Sequence, residues 1–260
     1  MTLQLRQICL VARELEPAVE DLTEILGINR CFVDPGVGKF GLKNTLMPIG
    51  TNFLEVVTPI AEGTAAGRYL KRRGGDGGYM VITQADSLES QQAVRQNALD
   101  NGVRIAFESV REDWNLCQLH PGDMKAAFLE IESDAYNDFQ GYWHPVGGTD
   151  WQNHVNRDVT SELMGVELQT NDPEALATLW AKVAGLPFSR EGAAFSLKLN
   201  NASIRFVKEE DGRGAGLSGL DIAVENREHV LSVARQQGCY VSDDQVDICG
   251  VHWYLKSNES

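Results

Sequence analysis

The chain has 260 residues and a net charge of −14, because 37 acidic residues outnumber 23 lysines and arginines. An excess of acidic residues argues against sequence-independent binding of nucleic acid, which needs cationic groups against the phosphates. No apolar run approaches the roughly 20 residues of a membrane-spanning helix, and the N-terminus lacks the apolar core of a signal peptide.

The cysteines indicate a reduced, cytoplasmic protein. Their number is odd and no two form a CxxC pair, so neither a disulfide framework nor a zinc site is indicated. Most lie in apolar, strand-like surroundings, which is typical of buried thiols. A reactive thiol remains an alternative. The five residues are Cys9, Cys31, Cys117, Cys239 and Cys249.

A pattern of strand, amphipathic helix, glycine and strand begins near the N-terminus. The run QICLVA precedes a helix with an apolar stripe that includes Leu15, Val19 and Leu22, and Gly27 ends this helix before INRCFV. The same pattern occurs again at YMVIT, where Asp86 and Glu89 have the spacing of a capping box and Gly102 precedes VRIAFE.

The third and fourth copies lie in the second half of the chain. MGVELQT is followed by a helix that Asn171 or Asp172 can cap, and then by Gly185. GLDIAV is followed by a helix with Asn226 as its expected cap, and then by Gly238.

Further strand-like runs follow each copy, so every copy reads as β-α-β-β-β. These runs are NFLEVVTP, KAAFLEIE, ASIRFVK and VHWYLKS. The pattern predicts an α+β fold in which four modules pair into two domains, with mixed, curved sheets and helices on the outer faces. We expect the first domain at residues 1–133, an aromatic and glycine-rich linker at 134–160 and the second domain at 161–260.

Two segments carry a resemblance to the vicinal oxygen chelate superfamily, which includes glyoxalase I, methylmalonyl-CoA epimerase, extradiol dioxygenases and bleomycin-resistance proteins. EGTAAGRYLKRRGGDGGYMVIT resembles the passage that links two modules in glyoxalase-like members. LHPGDMKAAFLEIE is similar to their last strand, which usually ends in a metal-binding glutamate. The resemblance covers nearly the whole chain and is strongest in its first half.

The resemblance implies a divalent metal held by Gln7, Glu55 and Glu130, with Tyr79 where a histidine is usual. Oxygen donors of this kind favour Mg, Mn, Ni or Zn. Glu55 or Glu130 would then act as a base and Tyr79 would donate a hydrogen bond to a developing oxyanion. Alternation puts Phe128, Glu130 and Glu132 on one face of their strand. The alternative interpretation is that these polar side chains face solvent on an open sheet.

Three further residues are predicted to contact a substrate. His120 opens a strand and Arg68 lies in the cationic run GRYLKRRGG, although a strand end and a solvated helix end explain these two equally simply. Trp143 lies in the predicted linker, as do His144 and His154, for which a ligand role is a minor alternative. GGDGG reads as a turn, and no nucleotide cofactor is predicted.

The second half is predicted to be degenerate. The places of the metal ligands fall there on Gly165, Arg205, Gly219 and Tyr254, which do not suit a cation. None of the five histidines falls on a ligand position, so an extradiol dioxygenase, which needs two histidines and a carboxylate, is excluded.

Two functions therefore compete. One is a metal-assisted lyase or isomerase acting on a small oxygenated metabolite. The other is a metal-free protein that binds or sequesters a small molecule, as bleomycin-resistance proteins do. A monomer or a homodimer fits either function, and a protein-recruiting scaffold is a third, unselected alternative.

Overall fold

A computed structural model describes residues 1–143 and 147–257 of the chain. His144, one of the predicted linker histidines, lies outside the described residues. Among those that are described, no helix is long and apolar enough to cross a membrane.

The described chain mixes helices with strands, and the predicted α+β class is confirmed. The strands are β1 Leu3–Val11, β2 Leu42–Ile49, β3 Asn52–Pro59, β4 Gly77–Ala85, β5 Ile105–Val110, β6 Trp114–Leu119, β7 Phe128–Asp134, β8 Thr160–Thr170, β9 Phe188–Glu191, β10 Ala194–Lys198, β11 Ser203–Lys208, β12 Gly216–Val224, β13 Tyr240–Ser242, β14 Gln245–Ile248 and β15 Val251–Lys256. The α-helices are α1 Leu15–Leu26, α2 Ala65–Arg73, α3 Leu88–Asp100, α4 Pro121–Met124, α5 Pro173–Ala184 and α6 Arg227–Gln237.

The helix caps follow the sequence with one correction. Asp172 and Asn226 cap α5 and α6, as predicted, by accepting backbone N–H groups of the first turn. The cap of α3 is Ser87 rather than Asp86, since the Ser87 hydroxyl accepts the N–H of Ser90 at 3.1 Å.

The first module differs from the prediction in one strand. INRCFV was expected to be a full strand, but only Phe32 forms an isolated bridge, to Leu46 of β2. The glycine-rich sequence after it explains the difference: Pro35 has no N–H for a ladder, and Pro35–Phe40 forms a 3₁₀ helix whose start Asp34 caps. The other three modules each have four strands and the expected helix.

The chain folds into two compact units that each combine segments from both predicted halves. Unit 1 comprises Met1–Gln7, Tyr79–His144 and Gly165–Leu217, and unit 2 comprises Ile8–Gly78, Pro145–Met164 and Ser218–Ser260. The division into a first domain at 1–133, a linker at 134–160 and a second domain at 161–260 stays a prediction.

Unit 1 is built from the second and third modules. In the second, β4 runs parallel to β7, and β7, β6 and β5 form antiparallel pairs. In the third, β8 runs parallel to β11, and β11, β10 and β9 are antiparallel. Helices α3 and α5 contact each other, and the buried Trp180 of α5 donates its indole N–H to the carbonyl of Met124.

Unit 2 is built from the first and fourth modules. Strands β2 and β3 are antiparallel, β12 runs parallel to β15, and β15, β14 and β13 are antiparallel. Helices α1 and α6 contact each other. Burial alternates along β15: Val251, Trp253 and Leu255 are buried, while His252 and Tyr254 between them are half-buried.

Candidate functional site

Gln7 is buried in β1, and its side chain bonds with an aromatic residue of the predicted linker. The indole N–H of Trp143 donates to Gln7 Oε1 at 3.3 Å, and both side chains are almost completely buried. The same indole stacks on Arg6, whose guanidinium carbon lies 4.9 Å from the ring centroid. Trp143, predicted to contact a substrate, therefore uses its polar atom inside the protein.

Arg6 is the charged centre of this contact. Its guanidinium donates to the carbonyls of Asp138 and Gly141 at 3.2 and 3.1 Å, and its side chain is fully buried. Burial lowers the pKa of Arg6 to about 10, and the charges of nearby Asp134 and Asp138 oppose that shift. The guanidinium stays charged at neutral pH. We call residues 134–143, which surround it, the strap.

Glu130 and Glu132 lie in β7 with their side chains toward the same face. Their register partners in β4 are Ile82 and Gln84. Both glutamates are only 3% exposed, and Trp114 of β6 donates its indole N–H to Glu132 Oε2 at 2.8 Å. A carboxylate in such surroundings carries a desolvation cost unless other groups compensate for it.

Glu130 influences the ionisation of Glu132 in these surroundings. Burial, followed by the charge and the hydrogen bond of Glu130, raises the pKa of Glu132 well above its usual range. The raised pKa favours a proton on Glu132 beside the Glu130 carboxyl group, as in other pairs of neighbouring buried acids. Alternation had placed Glu132 beside Glu130, but nothing in the sequence indicated that the pKa of Glu132 is raised.

Tyr79 is not the residue of the second module that matches Gln7 in position. In each module, one residue lies at the same number of positions before the first residue of the helix. These residues are Gln7, Met80, Gly165 and Gly219. Tyr79 precedes that position by one residue, is buried, and packs edge-on to Phe128 with 5.1 Å between ring centroids. Its predicted catalytic role stays a prediction.

Glu55 lies in β3 of unit 2 and is bound by an amide. Asn44 of β2 donates its Nδ2 to Glu55 Oε1 at 2.6 Å, and the Asn44 Oδ1 accepts the backbone N–H of Asp34 at 3.0 Å. Because both polar ends of Asn44 are used, its side chain holds the Glu55 carboxylate in one orientation.

The two remaining predicted contacts serve local structure. His120 of unit 1 is the N-cap of α4 and accepts the N–H of Gly122 at its Nδ1. The exposed Arg68 of unit 2 donates to the carbonyl of Gly63 at 2.5 Å. Their predicted contact with a substrate stays a prediction.

The third and fourth modules replace Glu130 by other side chains at the same register. The β4–β7 pair Ile82 and Glu130 corresponds to Glu167 and Arg205 in β8–β11, and to Asp221 and Tyr254 in β12–β15. Arg205 and Glu167 form an ion pair at 3.1 Å. A cation therefore occupies, in the third module, the place that a carboxylate holds in the second.

The predicted metal ligands do not fit a divalent ion as they stand. Gln7 Oε1 accepts from an indole, Glu55 Oε1 accepts from an amide, and Glu130 lies beside a second buried carboxyl group, that of Glu132. In the part of the chain that the structure describes, no three histidine, cysteine or acidic side chains are grouped so that they could hold a metal.

Comparisons with known proteins agree with this fold. A crystal structure of a hypothetical protein from Staphylococcus aureus matches with a TM-score of 0.63 at 13% identity, over 99% of this chain and 100% of that chain. A variant of 4-hydroxymandelate synthase from Streptomyces coelicolor matches with a TM-score of 0.65 at 12% identity, over 90% of this chain and 74% of that chain. Similarities at these identities show the fold alone.

A search of curated protein sequences found no significant match. A family profile described as a glyoxalase-like domain matches residues 8–184, which is more than half of the chain. The chain belongs to the glyoxalase-like domain family, and the predicted membership of the vicinal oxygen chelate superfamily is confirmed.

Proposed function

We propose that this glyoxalase-like protein is a lyase or isomerase that acts on a small oxygenated metabolite, with Glu130 as its base. The buried pair of Glu130 and Glu132 carries the proposal, because burial and the charge of Glu130 favour the protonated form of Glu132 beside a second carboxyl group that can accept a proton. The pair is nearly excluded from water, and buried carboxyl groups of this kind are often tuned for proton transfer.

The proposed reaction begins with proton transfer at a carbon next to a carbonyl group. Glu130 takes the proton, the C–H electron pair moves into the carbonyl to form an enolate, and the proton then returns to carbon or the enolate expels a leaving group. Glu132 is a positioning residue in this scheme: it lies beside Glu130 on β7, and the indole N–H of Trp114 fixes it. A positioned base contributes about 10²–10⁴-fold to such a step.

Proton exchange tests this proposal before the substrate has been identified. A panel of small 2-oxo acids, 2-hydroxy ketones and acyl thioesters is incubated with the protein in D₂O, and ¹H NMR follows the loss of the proton next to the carbonyl. We expect exchange with at least one compound, and we expect Glu130→Gln to lower its rate by about 10²-fold or more. The matched control is Glu112→Gln, at an exposed position outside the pair.

The same assay tests the predicted metal. The proposed mechanism uses carboxyl groups alone, so exchange should survive EDTA and should not increase with added Mg, Mn, Ni or Zn. Stoichiometric metal in the purified protein, with exchange that EDTA abolishes, would restore the metal-assisted mechanism with Gln7, Glu55 and Glu130 as ligands.

A metal-free binding protein is the second candidate. The internal hydrogen bonds of Gln7 and Glu55 favour it, because each engages one side-chain oxygen with a partner inside the protein. No exchange with any compound, together with saturable binding of a small molecule, would select this candidate.

The proposal includes a cytoplasmic location and a monomeric or homodimeric state. All five cysteines are free, which suits a reducing compartment. Sedimentation equilibrium of the purified chain measures the oligomeric state.

A further inference from the structure

Unit 2 contains a surface groove that lies outside the carboxyl pair of unit 1. We call it the Arg30–Lys43 groove; its volume is about 560 Å³, and its lining includes Arg30, Phe32, Val33, Lys43, Asn44 and Thr45. This volume lies within the range of small-molecule sites, and such sites combine apolar walls with a few polar groups.

The charge of the groove is opposite to that of the protein. Two cations line it, Arg30 and Lys43, against one acid, Glu16, while the chain as a whole carries −14. Arg30 pairs with Glu16 at 2.8 Å, but both side chains are exposed, and such pairs contribute little stability. A ligand carboxylate can therefore replace Glu16 on the planar guanidinium, which binds carboxylates through two parallel hydrogen bonds.

The groove is also lined by the thiol of Cys31, which does not repel an anion. Burial raises the pKa of Cys31 to about 12, so the thiol is uncharged at neutral pH. Lys43 is exposed on β2, and its ammonium group has no ion-pair partner among the described residues.

One wall of the groove is apolar. Val33 is 62% exposed, and Phe32 beside it is half-buried. A ligand that covers these side chains removes apolar surface from water, which favours binding. The floor is polar and fixed, since Asn44 and Thr45 are buried and Asn44 is bonded at both ends.

We propose that the Arg30–Lys43 groove binds a small organic anion, a carboxylate joined to a short apolar or aromatic body. The carboxylate lies between Arg30 and Lys43, and the body covers Val33 and Phe32. The site does not depend on the proposed chemistry of the carboxyl pair.

The test uses 4-phenylbutyrate as the probe and the full-length chain. Titration is followed by ¹H–¹⁵N NMR, and we expect saturable shifts that centre on residues 30–33 and 43–45. Lys43→Glu should raise the Kd at least about tenfold, which corresponds to about 1.4 kcal/mol. Lys182→Glu makes the same change of charge in α5 of unit 1, outside the groove, and should leave the Kd within about twofold.

Two further measurements separate the groove from general electrostatic attraction. The neutral analogue 4-phenylbutan-1-ol should bind at least about tenfold more weakly than the acid, because it lacks the carboxylate. Arg30→Gln should also weaken binding. If Lys43→Glu does not fold, Arg30→Gln replaces it in the test. Absence of saturable shifts in this region, equal effects of Lys43→Glu and Lys182→Glu, or equal affinity for the alcohol would each overturn the proposal.

Discussion

The indole N–H of Trp143 donates to the side-chain oxygen of Gln7, 136 residues earlier in the chain. The bond explains a polar amide in a strand that is buried throughout. It also anchors the strap, together with the carbonyl groups of Asp138 and Gly141 that accept from Arg6. The strap thus provides partners for polar groups that β1 buries, as buried polar groups require.

Removing the indole N–H should therefore destabilise the protein. Trp143→Phe keeps an aromatic ring but leaves the Gln7 oxygen without this donor, and we expect a loss of about 1–2 kcal/mol in the free energy of unfolding. Trp143→Ala also creates a cavity and should cost about 3–5 kcal/mol. Urea unfolding followed by circular dichroism measures both values.

Trp151→Phe is the matched control. Trp151 is as deeply buried as Trp143 and packs against Phe53, but its indole N–H has no hydrogen-bond partner among the residues that the structure describes. Its replacement should cost less than that of Trp143. Equal costs would show that the Trp143–Gln7 bond contributes nothing measurable.

Local patterns predict the helices and most strands of this protein, because caps, glycines and alternation act over a few residues. The strap could not be predicted in this way, since the partner of Gln7 is distant in sequence and alternation does not distinguish water from an indole. The same limit applies to Glu132, which alternation places beside Glu130 without indicating that its pKa is raised. The sequence also did not show that Met80, rather than Tyr79, matches Gln7 in position. The modules can be aligned with one another only from the observed first residues of their helices.

The raised pKa of Glu132 should make stability fall with increasing pH. Its proton is held more tightly in the folded state, because burial and Glu130 disfavour the charged form. This contribution is complete below the unfolded pKa of about 4.3, and it is lost as pH rises through the folded pKa. Glu132→Gln cannot ionise and keeps an acceptor for Trp114, so the variant should lose this pH dependence.

Unfolding free energies at about pH 5 and pH 8 test this expectation. Relative to wild type, the free energy of unfolding of Glu132→Gln should be higher at about pH 8 than at about pH 5. Glu112→Gln, at an exposed position, should keep the wild-type slope. Parallel curves for wild type and Glu132→Gln would mean that Glu132 titrates alike in both states.

The amide of Asn44 and the carboxylate of Glu55 should be coupled energetically. Asn44→Ala removes the donor at 2.6 Å from a buried carboxylate, and bonds to charged groups contribute about 1.5–3 kcal/mol. A double-mutant cycle with Glu55→Ala should give a coupling energy of about 0.5–3 kcal/mol. Additive losses in the two single variants would contradict a stabilising role for this bond.

Val159 should make Gly27 more sensitive to substitution than the equivalent glycine of α6. Gly27 and Gly238 both end a helix with positive φ, 64° and 75°, so alanine at either position should cost about 1–2 kcal/mol in backbone strain. A Cβ at Gly27 would lie 2.5 Å from a methyl group of Val159, whereas one at Gly238 meets nothing within 4 Å among the described residues. Gly27→Ala should therefore cost about 1–3 kcal/mol more than Gly238→Ala in urea unfolding. The Cβ of Val159 would also lie within 2.6 Å of the added Cβ, so Val159→Gly rather than Val159→Ala removes the contact. Gly27→Ala should cost less in the Val159→Gly background, and an excess that persists there would place its origin elsewhere in the backbone.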